Sequence, residues 1–140
     1  MKLTLSQACI KSKGTFECRR TPHNMSNQRM HWAVKAKWAK AWQASILTAL
    51  SELTTRPQTL ARADLTIIMY KVSLYDPDGA VNSCKDLIDG LRYANIITND
   101  TVKHINLNVV QIKVGHKNEE KVEINIEVWK TKDKNNHHGA

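Results

Sequence analysis

The fold is decided by residues 65–74, LTIIMYKVSL, and by the five residues that follow at 75–79, YDPDG. The first segment is short and rich in Ile, Met, Tyr and Val, which is typical of a buried β-strand. Asp, Pro and Gly then favour a turn that ends the strand. After the turn, apolar residues recur at steps of three and four up to about Ala94, at Val81, Cys84, Ile88 and Leu91. This spacing predicts a helix that follows the strand directly.

The segments before this strand predict a first strand, a loop and a long helix. Residues 2–10 alternate weakly and favour a strand, whereas the basic, turn-rich residues 11–27 favour a loop. Residues 28–53 contain no Gly or Pro. Apolar side chains recur in them with helical spacing, at Trp38, Trp42, Ile46, Ala49, Leu50 and Leu53.

Two further strands are predicted after the second helix. Apolar and polar residues alternate in residues 105–109 and again in residues 122–128. The polar run at residues 115–120 between them suits a hairpin turn. The predicted order is therefore β-α-β-α-β-β, an α+β fold with a mixed β-sheet and two helices packed on it.

Length and composition predict a single domain. The chain has 140 residues and is 41% apolar, which suffices for one modest core. We expect the domain to cover residues 1–132 and a polar C-terminal tail to follow at residues 133–140. No apolar run approaches the roughly 20 residues of a membrane span, and the N-terminus lacks the pattern of a secretory signal. We therefore expect a cytoplasmic protein without membrane contacts.

The cysteines and histidines do not suggest a metal centre. Cys9, Cys18 and Cys84 form no CxxC pair, which predicts reduced structural thiols and argues against a disulfide framework and against structural zinc. The histidines share no spacing typical of metal ligands.

Positive charge is concentrated in the first part of the chain. Residues 1–62 contain 11 Lys or Arg and two acids, a net charge of +9, whereas residues 63–140 have a net charge of −1. Such a distribution favours a polyanionic partner, nucleic acid above all. The candidate DNA-binding residues are Arg19, Arg20, Arg29, Lys35, Lys37 and Lys40. A solvated basic face is the alternative, because the three lysines do not share one side of a helix.

Asp76 and Asp78 are candidate metal ligands. In an extended backbone, residues two apart send their side chains to the same side, so that the two carboxylates would share a cation. Oxygen ligands without nearby Cys or His favour Mg²⁺ or Mn²⁺. The alternative is an ordinary helix start, in which Asp76 or Asp78 caps the helix and Pro77 occupies its first position.

The following helix carries a polar stripe with a candidate phosphate-binding lysine. Asp78, Asn82, Lys85 and Asp89 are separated by four, three and four residues, which places them on one face of a helix. Lys85 would then face the carboxylates and stabilise a phosphate. Alternatively, Lys85 and Asp89 are an ordinary surface pair.

The complete pattern resembles the RusA-type Holliday junction resolvases, or crossover junction endodeoxyribonucleases, many of which are encoded by phages and prophages. The resemblance covers residues 22–128 and includes the upstream segments Pro22-His23-Asn24 and His31-Trp32-Ala33. Its central motif is Asp76-Pro77-Asp78, Lys85, Asp89-Gly90-Leu91, Asn95-Ile96-Ile97 and Asn99-Asp100, between two strands.

The resemblance implies a magnesium-dependent nuclease of DNA recombination and repair. It makes Asp76, Asp78 and Asp100 the catalytic metal-binding aspartates, Lys85 the catalytic-site lysine and Asp89 an accessory acid. It further implies a homodimer whose two sites nick opposed strands of a four-way DNA junction.

Three positions depart from the family pattern. Gly79 stands where the family often has Asn, Asn95 replaces a glycine, and Asn99 replaces an acid of the closing turn. Asn82, one turn after Gly79, is a candidate replacement for the missing amide. The departures at Gly79 and Asn99 leave open a catalytically weak or inactive branched-DNA-binding protein of the same fold. A magnesium-dependent hydrolase of nucleotides or other phosphate esters is a separate alternative.

Overall fold

The protein is a mixed β-sheet covered on one face by helices, seen in a computed structural model that describes residues 1–24, 30–99, 101 and 103–129. The strands are β1 (Lys2–Leu5), β2 (Ala8–Ser12), β3 (Thr15–Arg19), β4 (Ala63–Lys71), β5 (Ile105–Lys113) and β6 (Lys121–Val128). The α-helices are α1 (Trp32–Ser51), α2 (Pro77–Ser83) and α3 (Lys85–Tyr93), and a 3₁₀ turn spans Lys117–Glu119. The α+β class and the mixed sheet are confirmed.

β4 is a central strand of the sheet, whose order is β1-β6-β4-β5. It runs parallel to β5 and antiparallel to β6. Its residues alternate in burial, so that Leu65, Ile67 and Met69 face the core. The predicted strand at residues 65–74 thus exists, but it begins and ends a few residues earlier.

The core lies between this face of the sheet and the helices. Trp38, Trp42 and Ile46 of α1 are almost completely buried there, as their spacing predicted, and α1 packs against α3, β1 and β2. His31 caps α1, because its ring nitrogen Nδ1 accepts a hydrogen bond from the Ala33 backbone N–H at 3.2 Å. In the described residues, no helix combines the length and apolarity needed to cross a membrane.

Part of the predicted loop at residues 11–27 is instead a β-hairpin. β2 and β3 pair around Lys13 and Gly14, whose φ angles are 51° and 82°, as expected for the primed turns of two-residue hairpins. Cys9 lies opposite Cys18 in the pairing, and the two form a disulfide, while Cys84 is free and buried. The prediction of three reduced thiols was therefore wrong, because spacing alone does not show a pairing that depends on the hairpin register.

The predicted second helix is divided at Cys84 into α2 and α3. The predicted buried stripe is confirmed at Cys84 and Leu91 and partly at Ile88. Val81 is instead exposed, and Ala80, Ser83 and Leu87 are buried in addition. Small residues let the helix approach its neighbours closely: a Cβ on Gly90 would lie 2.6 Å from Cδ1 of Ile46. A sequence pattern that counts only large apolar residues does not identify a helix surface that packs through Gly and Ala.

The predicted hairpin turn at residues 115–120 is wrong. β5 and β6 do not pair with each other, because β4 lies between them. Their connection crosses the C-terminal end of β4, where Glu120 accepts a hydrogen bond from the Val72 N–H at 2.9 Å. The alternating pattern identified both strands but could not identify their neighbours in the sheet. The crossing places the 3₁₀ turn beside the residues that follow β4.

Candidate functional site at the end of the central strand

Asp76 is the N-cap of α2. Its Oδ1 accepts a hydrogen bond from the Gly79 N–H at 3.0 Å, and Pro77 occupies the start of the helix. Asp78 lies in the first helical turn, so the expected extended backbone through the pair is wrong and the helix-start alternative is confirmed for Asp76. Both side chains are exposed, and neither forms a salt bridge with a described residue.

The segment before Asp76 is held to β5 by two hydrogen bonds. The Tyr75 N–H donates to Oε1 of Gln111 at 2.8 Å, and Nε2 of Gln111 donates to the Tyr75 carbonyl at 2.9 Å. The side-chain amide of Gln111 therefore forms with the Tyr75 backbone the two hydrogen bonds that the backbone of a neighbouring strand would form. This fixes the position at which the chain leaves the sheet and enters the cap.

Gly79 is buried against Asn24. A Cβ at position 79 would lie 2.4 Å from Nδ2 of Asn24 and 2.5 Å from Oδ1 of Asp76. A larger residue would therefore displace one of them. The amide of Asn24 fills the space that an Asn side chain at position 79 would need. The glycine at this position, where the RusA-like pattern often has Asn, is thus explained by packing. Asn82, the expected replacement, is exposed on α2.

Lys85 begins α3 and is exposed, whereas Asp89 is half-buried. Asp89 lies 4.0 Å from Nη2 of Arg92. Asp86, which sequence analysis did not single out, is also half-buried, and desolvation followed by the charge of Asp89 raises the pKa of its carboxyl, while Lys85 opposes this. Asp86 and Asp89 line a groove of about 400 Å³ between α1 and α3, together with Lys40.

Asp100 lies outside the described residues. The described neighbours in its turn are Asn99 and Thr101. Just before them Ile97 bridges to Leu60, and just after them the His104 carbonyl accepts from the Ala63 N–H at 2.9 Å. These contacts are at the start of β4, and Asp76 follows its end.

The length of β4 therefore separates the described part of the closing turn from the acid pair. A strand of nine residues is about 26 Å long. Within the described ranges, no three His, Cys, Asp or Glu side chains are grouped so that they could hold a metal ion. The sequence predicted that Asp76, Asp78 and Asp100 of one chain bind one metal ion. The positions of the residues that flank Asp100 do not support this prediction.

A buried basic cluster lies beside Tyr75. Lys71, at the end of β4, is only 4% exposed, and its Nζ donates to Oγ1 of Thr21 at 3.1 Å and lies 3.9 Å from the centre of the Tyr75 ring. Arg19 donates from Nε to the Thr21 carbonyl at 3.0 Å and from Nη2 to the Tyr75 hydroxyl at 3.3 Å. Sequence analysis missed Lys71, which is embedded in an apolar strand.

His23 closes the inner side of this cluster. It is 8% exposed and meets Trp38 edge to face, with ring centres 4.8 Å apart. Burial, followed by the positive charges of Arg19 and Lys71, lowers the pKa of His23 from 6.5 to about 4. The ring is therefore neutral at pH 7 and adds no charge to the cluster.

The described DNA-binding candidates contact different parts of the fold. Arg20 is exposed and donates to the Asn118 carbonyl at 2.8 Å, whereas Lys37 donates to the Lys11 carbonyl at 3.0 Å. Lys40 faces the groove between α1 and α3. Lys35 is exposed on α1, and Arg29 lies outside the described residues. Only Arg19 and Arg20 lie with Lys71 at the end of β4.

The residues at the end of the central strand thus include two exposed carboxylates and a cationic cluster formed by buried Lys71 and half-buried Arg19. Oxygen donors of this kind suit a hard divalent cation, and the guanidinium and ammonium groups suit an oxyanion. No protein-family model and no curated protein matches the chain.

Proposed function

We propose that the protein is a magnesium-dependent endodeoxyribonuclease that cleaves branched DNA and resolves Holliday junctions in recombination and repair. The observation that carries this proposal is that acidic and basic side chains without charged partners occur at the same end of β4. Asp76 and Asp78 have no cationic partner among the described residues, and Lys71 has no anionic one. A divalent cation neutralises the first group and a DNA phosphate the second.

Each residue of the acidic group has a role in this proposal. Asp76, Asp78 and Asp100 bind the metal; capping occupies one oxygen of Asp76, and a carboxylate has a second oxygen to offer. When bound, Mg²⁺ or Mn²⁺ activates water and polarises the scissile phosphate. Lys85 binds the phosphate and its developing charge. Asn82 of α2 and Asp89 of α3 are accessory polar groups.

The test is a nicking assay with a synthetic four-way junction and the linear duplex of the same sequence, each with Mg²⁺ or with EDTA. We expect paired nicks in the junction, little cleavage of the duplex and none in EDTA. Asp78→Asn should abolish cleavage. Glu127→Gln is the matched control, because Glu127 is an exposed carboxylate of β6, and this variant should cleave normally. Metal-dependent cleavage that survives Asp78→Asn would refute the proposal.

A branched-DNA-binding protein without catalytic activity is the second candidate. The separation of Asn99 from Asp76 by the length of β4 favours it, because one chain then lacks a third acid near the pair. It predicts tight junction binding without nicks, equal in the wild type and in Asp78→Asn. A small-molecule phosphoesterase, in contrast, would turn over nucleotides and show no preference for the junction.

A further inference from the structure

A pocket of about 430 Å³ lies between the ends of β3 and β4 and the 3₁₀ turn. Its wall includes Arg19, Arg20, Thr21, Lys71, Lys117 and Glu120. Four of these six residues are cationic and one is acidic. The pocket therefore has a strongly positive lining, although its walls come from three separate parts of the chain.

The lysine of this pocket is buried without a counter-charge. Lys71 is 4% exposed, and within the described part of the chain it forms no salt bridge. Its contacts are the neutral hydroxyl of Thr21 and the ring of Tyr75. A buried ammonium group is destabilising unless an anion or several hydrogen bonds compensate it. Neither contact supplies a negative charge that would neutralise it.

The other cations are held where they can share that ligand. Arg19 uses Nε and Nη2 for its contacts with Thr21 and Tyr75, which orients the guanidinium and leaves further N–H groups for an anion. Arg20 is fixed by the Asn118 carbonyl, and Lys117 is exposed on the 3₁₀ turn. The acid of the pocket is not paired with these cations, because Glu120 accepts from the Val72 N–H through Oε2 and forms no salt bridge with a described residue.

We propose that this pocket binds a phosphate group of a nucleic-acid backbone, with Lys71 and Arg19 on its oxygens and with Arg20 and Lys117 at the entrance. A tetrahedral oxyanion accepts hydrogen bonds from several such donors at once. The site does not depend on the proposed nuclease activity, because a phosphate binds there whether or not Asp76 and Asp78 hold a metal. It holds the strand next to the acid pair through Tyr75, which contacts Lys71 and precedes Asp76.

The experiment measures DNA binding in EDTA, so that metal binding and cleavage play no part. Fluorescence anisotropy with a labelled four-way junction compares the wild type with Lys71→Met, which keeps a long side chain without charge. Lys13→Met is the matched control, because Lys13 is exposed in the turn of the β2–β3 hairpin, at the opposite end of that hairpin from Arg19. Lys117→Gln is a second variant, on an exposed turn where folding is not at risk.

Lys71→Met should weaken binding by about tenfold and lower the slope of log affinity against log salt by about 0.7 to 0.9, the effect of one phosphate contact. Lys117→Gln should weaken binding in the same direction, and Lys13→Met should match the wild type. Equal affinities and slopes in all four proteins would overturn the proposal. Circular dichroism spectra verify that each variant is folded.

A second arm separates nucleic acid from free phosphate. Inorganic phosphate should raise the melting temperature of the wild type above that in chloride of equal ionic strength, and Lys71→Met should remove this rise. If phosphate stabilises the wild type but Lys71→Met binds DNA as tightly as the wild type does, the pocket binds a small phosphate compound. This result would contradict the proposal that it binds a nucleic-acid backbone. Loss of both effects in Lys71→Met supports the proposal.

Discussion

Asp76 caps α2 and is also a proposed metal ligand. Two substitutions distinguish the two roles. Asp76→Ala removes the acceptor for the Gly79 N–H and should lower the free energy of unfolding by about 1 kcal/mol. Asp76→Asn should change it by only about 0.3 kcal/mol, because Asn is as good an N-cap as Asp, yet it should abolish cleavage. Urea unfolding and the nicking assay measure the two effects. Full cleavage by Asp76→Asn would remove this residue from the metal site.

His23 should make stability depend on pH. Its pKa in the folded protein is about 4 and its ordinary value is 6.5, so the unfolded chain takes up the proton first as pH falls. The stabilisation is complete above pH 6.5 and is lost as pH falls towards 4. From about pH 7.5 to about pH 5.5, the free energy of unfolding should fall by about 1.4 kcal/mol from this residue.

Urea unfolding at the two pH values measures this loss, and His23→Gln is the control that should reduce it. NMR gives an independent readout, because the His23 ring should not titrate in this range. Titration of that ring with a midpoint near its ordinary value would show that it is not buried as a neutral group.

At the residue scale, the sequence predicted contacts within a few positions better than contacts across the fold. The cap at Asp76 was foreseen as an alternative because Asp-Pro-Asp-Gly contains both partners. Lys71 was not foreseen, because its partner Thr21 lies 50 positions away. Nothing local in an apolar strand distinguishes a buried cation from one that points to solvent.

The β2–β3 hairpin should depend on its disulfide. Cys9 and Cys18 are separated by nine positions, and closing a loop of this size stabilises a fold by about 2.5 kcal/mol in the chain-entropy model. Reduction with a phosphine should therefore lower the free energy of unfolding by up to about that amount. The double variant Cys9→Ser with Cys18→Ser should be as unstable as the reduced protein and insensitive to reductant.

A thiol count under denaturing conditions tests the same element directly. Without reductant we expect one reactive thiol, that of Cys84, which is buried in the folded protein. Three reactive thiols would support the reduced state that spacing alone predicted.

At the scale of elements, hydrophobic period identified most strands and helices but not their neighbours. β5 and β6 have the alternation that predicted them, yet β4 separates them. A parallel β4–β5 pair requires the intervening α2 and α3 to cross the sheet, and no local pattern specifies this. The predicted buried stripe of α2 and α3 failed only at Val81, and the pattern missed Ala80 and Gly90, small residues that are also buried.

At the scale of the whole molecule, folding brings the two differently charged parts of the sequence together. Arg19, from the basic part, contacts Tyr75, which directly precedes Asp76. The charge difference was visible in the sequence, and it favoured a polyanionic partner. The basic residues reach the end of β4 because of the β2–β3 hairpin and because the 3₁₀ turn crosses that end of the strand. Sequence analysis missed both features.

The homodimer that the resemblance implies would provide a route by which Asp100 meets the acid pair. Asn99 and Thr101 lie near the start of β4, and Asp76 lies beyond its end, so a twofold axis that exchanged the two ends of the sheet would bring the turn at Asn99 and Thr101 of one chain to the acid pair of its partner. Under this hypothesis each metal site would contain Asp76 and Asp78 from one chain and Asp100 from the other.

Mixed dimers test this arrangement, because each of the two variants Asp78→Asn and Asp100→Asn should be inactive alone. When the two are refolded together in equal amounts, half of the dimers are mixed, and each mixed dimer has one site with all three aspartates. About a quarter of the wild-type sites should therefore return, and they should give single nicks in a four-way junction without paired cuts. Refolding Asp78→Asn with Asp76→Asn is the control, since no site in that mixture is intact. If the first mixture stays as inactive as this control, the complete site does not span two chains.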